Sequence, residues 1–351
     1  MPEDGSGAVT VGVIANPASG RDIRRLVSGA SVFDNGEKGN MIYRFMVGLA
    51  AVGVGRVLMM PAASGLYDSL ERTLRAARRS SVEEKRPMPE LELVEMIVRH
   101  TARDTIDALA EMGRRSVAAV VVLGGDGTSR IVARHCDPYT PLCTLSTGTN
   151  NAFPEMREAT VAGIATGLVA MGRIGNEALR REKILRVGLN GDERHDCALV
   201  DVAVNSERFV GARALWRPRN ISEIVVSSAR PDAVGLSSIA GLLEPTGRDA
   251  PHGLHILLVP PKGAETVLTV PLAPGLVVPV GVQEVSRIEP GETVTLAPGA
   301  GSIALDGERE IETGPSDRVE VRLDPDGPLT VDVGEAMRQA ARRGLLNGAL
   351  A

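Results

Sequence analysis

The chain has 351 residues, 43% hydrophobic and 24% charged, a balance that excludes disordered and fibrous classes and, at ~150 residues per domain, points to two domains. With 39 basic against 44 acidic residues the net charge is −5, so no global basic field draws the chain to nucleic acid or to an anionic membrane. Four Phe, three Tyr and one Trp are too few for the stacking platforms of single-strand binders and leave the core to aliphatic residues.

The chain opens with Met1-Pro2-Glu3-Asp4, acidic where a secretory leader is basic, and no apolar run comes near the ~18 residues of a membrane span. A cytoplasmic protein is expected. Val9 to Ala15 is a short apolar run stopped by Asn16-Pro17-Ala18-Ser19-Gly20, a buried strand entering a turn. Val57 to Met60 and Leu91 to Val98 repeat the strand signal around helical Leu70 to Arg78, and this alternation predicts a parallel sheet. Ser80 to Glu90 reads as a solvated loop. Thr101 and Asp104 match a capping box, Ile106, Leu109 and Ala110 mark one helical face, and Gly113 supplies the stop. Val117 to Leu123 is apolar throughout and rich in β-branched residues, as a strand covered on both faces should be. It runs into Gly124-Gly125-Asp126-Gly127-Thr128. Leu142 to Leu145 is a further strand, followed by Thr147-Gly148-Thr149-Asn150-Asn151. Val161, Ile164, Ala165, Leu168 and Val169 then keep helical spacing up to Gly172.

From Lys183 the texture changes to short strands punctuated by Gly or Pro, the last of them Leu329 to Val333, and Glu335 to Leu346 returns to helical composition. The fold class expected is α/β plus all-β. A doubly wound parallel-sheet domain spans 1–180, a β-sandwich-like domain spans 181–333, and a C-terminal helix brings 334–351 back to the first domain. Cys136, Cys143 and Cys197 have no pairing framework and are expected to be reduced and structural. His252 and His255 have neither a Cys nor a third His nearby and read as a loop or strand-edge pair, so no metal ligands are assigned.

The Gly124–Thr128 turn lies where a buried parallel strand ends, and ligands of open α/β sheets bind outside the carboxyl ends of strands. Its glycines let backbone N–H groups approach phosphate oxygens, while Asp126 among them can take a proton from a hydroxyl or help to place a divalent cation. Alone, the pentapeptide also fits a tight strand-to-helix turn. It lacks the terminal Gly-Lys-Ser/Thr of the Walker loop and the spacing of the dinucleotide fingerprint. Asn16 to Gly20 and Thr147 to Asn151 follow two other strands, so three polar glycine-bearing turns converge on one sheet edge with the equipment to hold a polyphosphate. Candidate nucleotide-binding residues are Asn16, Ser19, Gly20, Gly124, Gly125, Gly127, Thr128, Gly148, Thr149, Asn150 and Asn151, with Asp126 as the candidate catalytic group.

These three turns, with a β-rich second half, resemble the NAD kinase and diacylglycerol kinase superfamily. Gly20-Arg21-Asp22-Ile23-Arg24-Arg25, Gly148-Thr149-Asn150-Asn151-Ala152-Phe153-Pro154 and Phe209-Val210-Gly211-Ala212-Arg213 are similar to the ATP-NAD kinase-like branch named for acetoin catabolism protein X. The resemblance implies ATP-dependent phosphorylation of a hydroxyl, with NAD as substrate and Mg²⁺ held mainly by the triphosphate. Polyphosphate would suit the same turns. Asp126 falls on the family's essential aspartate, and Asn150 and Asn151 on its nucleotide-binding turn. The resemblance also implies a homo-oligomer acting on small nucleotides.

Two departures bear on the acceptor. NAD kinases carry an Asn-Asp or Asn-Glu pair early in the second domain; the counterpart is Ala198-Leu199-Val200-Asp201-Val202, where Asp201 stands but Val200 replaces the amide. Their Thr-Pro-Thr-Gly-Ser-Thr-Ala-Tyr segment is echoed only by Arg230 to Gly241. The acceptor is therefore NAD or another small or lipid-like alcohol, with a non-catalytic nucleotide-binding accessory protein as the third reading. Leu305-Asp306-Gly307-Glu308 echoes the family's Asp-Gly-Glu turn, adding Asp306 and Gly307 to the candidates, and is equally a hairpin turn. Asn35 to Asn40 reads as cleft lining or surface loop, and Arg21, Arg24 and Arg25 as phosphate contacts or a solvated helix face.

Overall fold

The computed structural model describes residues 8–17, 31, 33–62, 65–79, 87–207 and 218–347. In chain order the first half runs β1 (Thr10–Ala15), α1 (Asn35–Ala51), β2 (Arg56–Met59), α2 (Leu66–Arg79), β3 (Glu90–Leu93), α3 (Ala102–Arg114), β4 (Ala119–Gly124), α4 (Asp126–His135), β5 (Leu142–Ser146) and α5 (Ala159–Ala170). The strands join in the order β3-β2-β1-β4-β5, all parallel. Alternation along β1 sends Val11, Val13 and Ala15 to one face and Ile14 to the other. On the first face α1, α2 and α5 bury Phe45, Leu49, Leu70 and Leu168. On the second, α3 and α4 bury Leu109, Met112 and Val132. Cover on both faces is why β4 reads as an unbroken apolar run.

Local signals explain most of these elements. The Thr101–Asp104 capping box forms as expected at the start of α3. Asn35 to Asn40, read as cleft lining or surface loop, form the opening of helix α1. Asp34 caps it by accepting the Glu37 N–H at 2.7 Å, and Met41, Ile42, Phe45, Met46 and Leu49 form its buried stripe. Glycines at 36 and 39 lower helix propensity and conceal that start in the sequence. Strand β3 is shorter than the expected Leu91 to Val98 because it is an edge strand, paired only with β2.

The second half runs β6 (Leu179–Arg181), β7 (Ile184–Leu189), β8 (Asp192–Ala198), β9 (Asp201–Asn205), β10 (Ile221–Val226), α6 (Ser237–Leu243), β11 (Gly253–Val259), β12 (Thr266–Ala273), β13 (Leu276–Ile288), β14 (Thr293–Leu296), β15 (Gly301–Leu305), β16 (Glu308–Thr313), β17 (Val319–Asp324), β18 (Leu329–Val331) and α7 (Val333–Arg342). Two antiparallel sheets, β12-β13-β11-β10-β9-β15-β16 and β14-β17-β7-β8, face each other across Leu185, Val187, Val204, Ile303 and Val321. The outer face of the larger sheet carries Ile224, Val226 and Ile256, against which α6 seats Ile239. Seven residues are too few for α6 to show a period in sequence.

Strand β18, grouped with the β-rich half by its sequence, instead enters the first sheet. It pairs parallel with β5 and antiparallel with β6, giving the order β3-β2-β1-β4-β5-β18-β6. Two chain segments therefore cross side by side between the halves, with Glu182 N–H donating to Pro328 O at 3.0 Å and Gly327 N–H to Glu182 O at 2.9 Å. Helix α7 then adds Val333, Ala336 and Ala340 to the core beneath α5, as the expected returning helix. Among the described residues no helix is long and apolar enough to cross a membrane.

Candidate active site

The strand order reverses between β1 and β4, whose neighbours lead away in opposite directions, and such a switch point leaves a crevice at the carboxyl ends. Two of the turns meet there. Asn16 N–H donates to Leu123 O at 3.1 Å, and Asn16 Nδ2 donates to Thr128 Oγ1 at 3.0 Å. A Cβ on Gly124 would lie 2.7 Å from the Thr128 Cβ, so that position needs glycine for close approach, and one on Gly125 would lie 2.8 Å from Asn151 Oδ1 and displace that amide. The third turn joins them: Thr147 N–H donates to Gly124 O at 3.3 Å, and Asn151 Nδ2 to Ser146 Oγ at 2.8 Å and Gly148 O at 3.4 Å. Thr149 is tied to Ser31 by N–H to O at 3.1 Å and, in return, Ser31 N–H to Thr149 Oγ1 at 3.1 Å. Asn16, Gly124, Gly125, Gly127, Thr128, Gly148, Thr149, Asn150 and Asn151 thus gather at one sheet edge. Ser19, Gly20, Arg21, Arg24, Arg25 and the Phe209–Arg213 segment lie outside the described residues.

Asp126 heads α4 behind Gly125, an N-cap that offers no side chain to the helix N–H groups. Its half-buried carboxylate accepts the Ala152 N–H at 3.1 Å on both oxygens and the Phe153 N–H at 2.8 Å on Oδ1. The group singled out in the β4–α4 turn is therefore held by the Gly148–Pro154 turn. From the β-rich half, the tip of the β15–β16 hairpin reaches the same place. A Glu308 carboxylate oxygen lies 3.5 Å from where a Gly127 Cβ would stand.

That hairpin tip is a two-residue turn with Asp306 and Gly307 both at positive φ, 51° and 76°, the type I′ geometry that Asp-Gly favours. The buried Asp306 carboxylate accepts N–H groups of Leu199 (3.0 and 3.1 Å), Val200 (2.8 Å) and Asp201 (3.3 Å). In return Asp306 N–H donates to Asp201 O at 2.8 Å and Gly307 N–H to Asp201 Oδ1 at 3.2 Å. Asp201 and Asp306 are thus engaged with backbone and brace the hairpin; Glu308 is the side chain it presents toward Gly127. Burial pushes the Asp306 carboxyl up to about 7, opposed by the Arg130 guanidinium and the Val200 and Leu199 N–H groups and reinforced by the Asp126 charge. Val200 is buried with Phe153, Cys197 and Leu199, so its side chain packs in an apolar cluster.

Two basic residues at the site are not singled out by the sequence, although Lys38 lies in the Asn35 to Asn40 stretch read as cleft lining or surface loop. Lys38 is 1% exposed, and its Nζ donates to Asn16 O at 3.2 Å, Pro17 O at 3.5 Å and Asn35 Oδ1 at 3.5 Å. It ties the first turn to the start of α1. Arg130, on α4, pairs with Asp196 at 3.2 Å and Glu310 at 2.8 Å, tying the helix that carries Asp126 to β8 and β16. Burial works against its charge, but Asp306, Asp196 and Glu310 outweigh it and hold the guanidinium above its ordinary range. A lysine on an otherwise apolar helix stripe was the one available signal for Lys38; Arg130 gave none.

The remaining candidates have ordinary partners. His252 lies 3.2 Å from Glu244 and His255 2.6 Å from Glu223, each with its own carboxylate, and no cluster of three metal-ligating side chains occurs among the described residues. Cys136, Cys143 and Cys197 are free thiols. Burial pushes them up to about 11, 11 and 12, well away from the reactive thiolate range.

Family comparisons divide the chain as the sheets do. Residues 11–174 match the ATP-NAD kinase N-terminal domain, and residues 183–326 match the acetoin catabolism protein X C-terminal domain. The NAD kinase of Burkholderia vietnamiensis is 30% identical over 164 residues, 41% of this chain and 53% of that protein. The crystal structure of an NAD kinase from Archaeoglobus fulgidus in complex with ATP aligns with a TM-score of 0.38 and 11% identity, over 84% of this chain and 99% of that one. The acetoin catabolism protein X of Cupriavidus necator is 45% identical over 343 residues, 97% of this chain and 94% of that protein. On that near full-length identity, together with a first half built as an NAD kinase-like domain, the chain belongs to the acetoin catabolism protein X family.

Proposed function

We propose that the chain is an ATP-dependent kinase that phosphorylates a hydroxyl, with the adenosine ribose 2′-hydroxyl of NAD as the first acceptor to test. The observation that carries this reading is the placement of the Asp126 carboxylate, half-buried and held by the Ala152 and Phe153 N–H groups where the Gly124–Thr128 and Thr147–Asn151 turns meet Asn16. In the proposed reaction the acceptor oxygen attacks the terminal phosphorus and its proton passes to Asp126. The bond from that phosphorus to the bridging oxygen breaks and ADP leaves with the electron pair. Phosphoryl transfer depends mostly on positioning and charge stabilisation, and a placed general base adds roughly 10²- to 10⁴-fold.

The groups present fit a triphosphate. The N-terminus of α4 has no side-chain cap, so its N–H groups and dipole favour an anion. Gly124 and Gly125 let the backbone come close, and the Asn151 amide stands beside them. Magnesium would arrive with the triphosphate, and the acidic groups beside Gly127 are Asp126 and Glu308. A second acceptor class is favoured by Val200, which stands where NAD kinases carry an amide and is buried against Phe153; a site without that amide discriminates less well among polar acceptors.

The test is incubation with ATP, Mg²⁺ and NAD, followed by detection of NADP with an NADP-specific dehydrogenase. NADP formation supports the first acceptor. ATP consumption only with another alcohol moves the reading to that class, and ATP binding without turnover on any acceptor tried contradicts the kinase reading.

A further inference from the structure

Ala152 and Phe153 are gripped from two sides. Their N–H groups hold Asp126, and their carbonyls accept from Arg248 Nη2, Ala152 O at 3.5 Å and Phe153 O in a shorter contact. The carbonyl of Ala152 and the N–H of Phe153 belong to one planar trans peptide unit and point in opposite directions. Arg248 therefore reaches one end of the plane whose other end bonds Asp126 Oδ1 at 2.8 Å, and its shorter contact, to Phe153 O, fixes the next peptide plane, which shares the Phe153 Cα with the first. The guanidinium also lies over the Phe153 ring, 4.6 Å from its centroid, a stacked contact that fixes its own orientation.

Arg248 comes from the segment between α6 and β11, in the β-rich half, and is itself anchored. Its Nη1 pairs with Glu182 Oε1 at 3.3 Å. Glu182 is 2% exposed and also accepts the Thr330 hydroxyl at 2.6 Å. Both belong to the segments that cross between the halves. A continuous series of contacts thus runs from Thr330 through Glu182 and Arg248 to the Ala152–Phe153 peptide and Asp126.

We propose that Arg248 is a positioning residue: by fixing the Ala152–Phe153 peptide plane it orients the Asp126 carboxylate and couples the seating of the β-rich half to the geometry of the reacting site. Its effect on turnover rests on the kinase reading above; its effect on the peptide plane does not. A misplacement of about 1 Å can cost ~10²-fold in rate, so the loss should fall on kcat and spare KM.

Removing Arg248 alone would strand the buried Glu182 charge, so the informative variant is Arg248→Met with Glu182→Gln, which deletes the pair and keeps an acceptor for Thr330. Labelling with 15N-phenylalanine gives few amide signals, since the chain has four Phe, and Asp126→Asn identifies that of Phe153 by its shift. The expected result is that the double variant moves the Phe153 amide signal in the same direction as Asp126→Asn. In active enzyme kcat falls by about 10- to 100-fold while KM for ATP stays within about threefold, with Arg248→Lys partly restoring kcat. An unmoved Phe153 signal, or a moved one with kcat unchanged in active enzyme, overturns the proposal. A moved signal in a protein whose wild type phosphorylates nothing supports the coupling and contradicts the kinase reading, so the two failures are distinguishable.

Discussion

Replacing Arg130 with Met tests how the two halves are held together. The arginine is 6% exposed and stands among Asp196, Glu310 and Asp306, so its loss removes the buried cation these carboxylates share, while Asp196 keeps Arg134 at 2.8 Å. Breaking a buried pair in this way costs about 3–5 kcal/mol. The Asp196 and Glu310 side chains are each 19% exposed, which admits some water and places the loss near the lower figure. For 351 residues the unfolding entropy is roughly 0.7 kcal/mol/K, so about 3 kcal/mol lowers Tm by about 4 °C. The loss should also depend on pH. The Asp306 carboxyl sits near 7 in the folded chain against an ordinary 3.8, so at pH 6 it is mostly protonated and gains little from Arg130. At pH 8 it is ionised, and removal of the guanidinium adds up to about 1.4 kcal/mol for that one unit above its pKa. Thermal unfolding of both proteins at pH 6 and pH 8 measures this. A drop of less than 1 °C would show that Arg130 does not hold these carboxylates, and one equally large at both pH values that Asp306 is not among them.

Asp306→Asn keeps an acceptor oxygen for the hairpin and removes the titration. A raised carboxyl stabilises the fold fully below its unfolded value and loses that contribution as pH climbs through its folded one. Wild-type stability should therefore fall by on the order of 1.4 kcal/mol per pH unit relative to Asp306→Asn between about pH 4 and pH 7; parallel Tm profiles over that window would contradict the assignment. Gly124→Ala drives a methyl into the Thr128 Cβ, whereas Gly125→Ala meets only the movable Asn151 amide oxygen, so the first should cost about 2 kcal/mol and the second less than half of that. Chemical denaturation ranks them, and the reverse order would count against the packing described. Lys38→Met removes the donor to the Asn16 and Pro17 carbonyls and should cost about 1–3 kcal/mol, again measured by denaturant unfolding; a neutral substitution would show that another group holds that turn.

Where the sequence was readable, one short segment carried a complete physical signal. The unbroken apolar run of β4 announced a strand covered on both faces, Thr101 and Asp104 announced the α3 cap, and Asp306-Gly307 announced a two-residue turn. The three turns could be placed on one edge because parallel strands put all their carboxyl ends together. What escaped was information held by distant segments. A three-residue strand such as β18 carries nothing that names its partner, and only the return of the chain to α7 places it beside β5. Arg130 and Glu310 are 180 residues apart, and an isolated arginine in sequence looks like a solvated one. Asp201 and Asp306 were visible as carboxylates at motif positions, but their mutual brace depends on the β9–β15 pairing, which no local pattern specifies.

The proposed role of Asp126, receiving the acceptor proton, is tested by comparing wild type with Asp126→Asn in single-turnover phosphorylation of whichever hydroxyl compound the wild type accepts. Asparagine keeps an oxygen for the Ala152 and Phe153 N–H groups, so ATP affinity should be little changed while the transfer rate falls by about 10²- to 10⁴-fold. Transfer by Asp126→Asn within threefold of wild type, at equal ATP occupancy, would exclude Asp126 as the base.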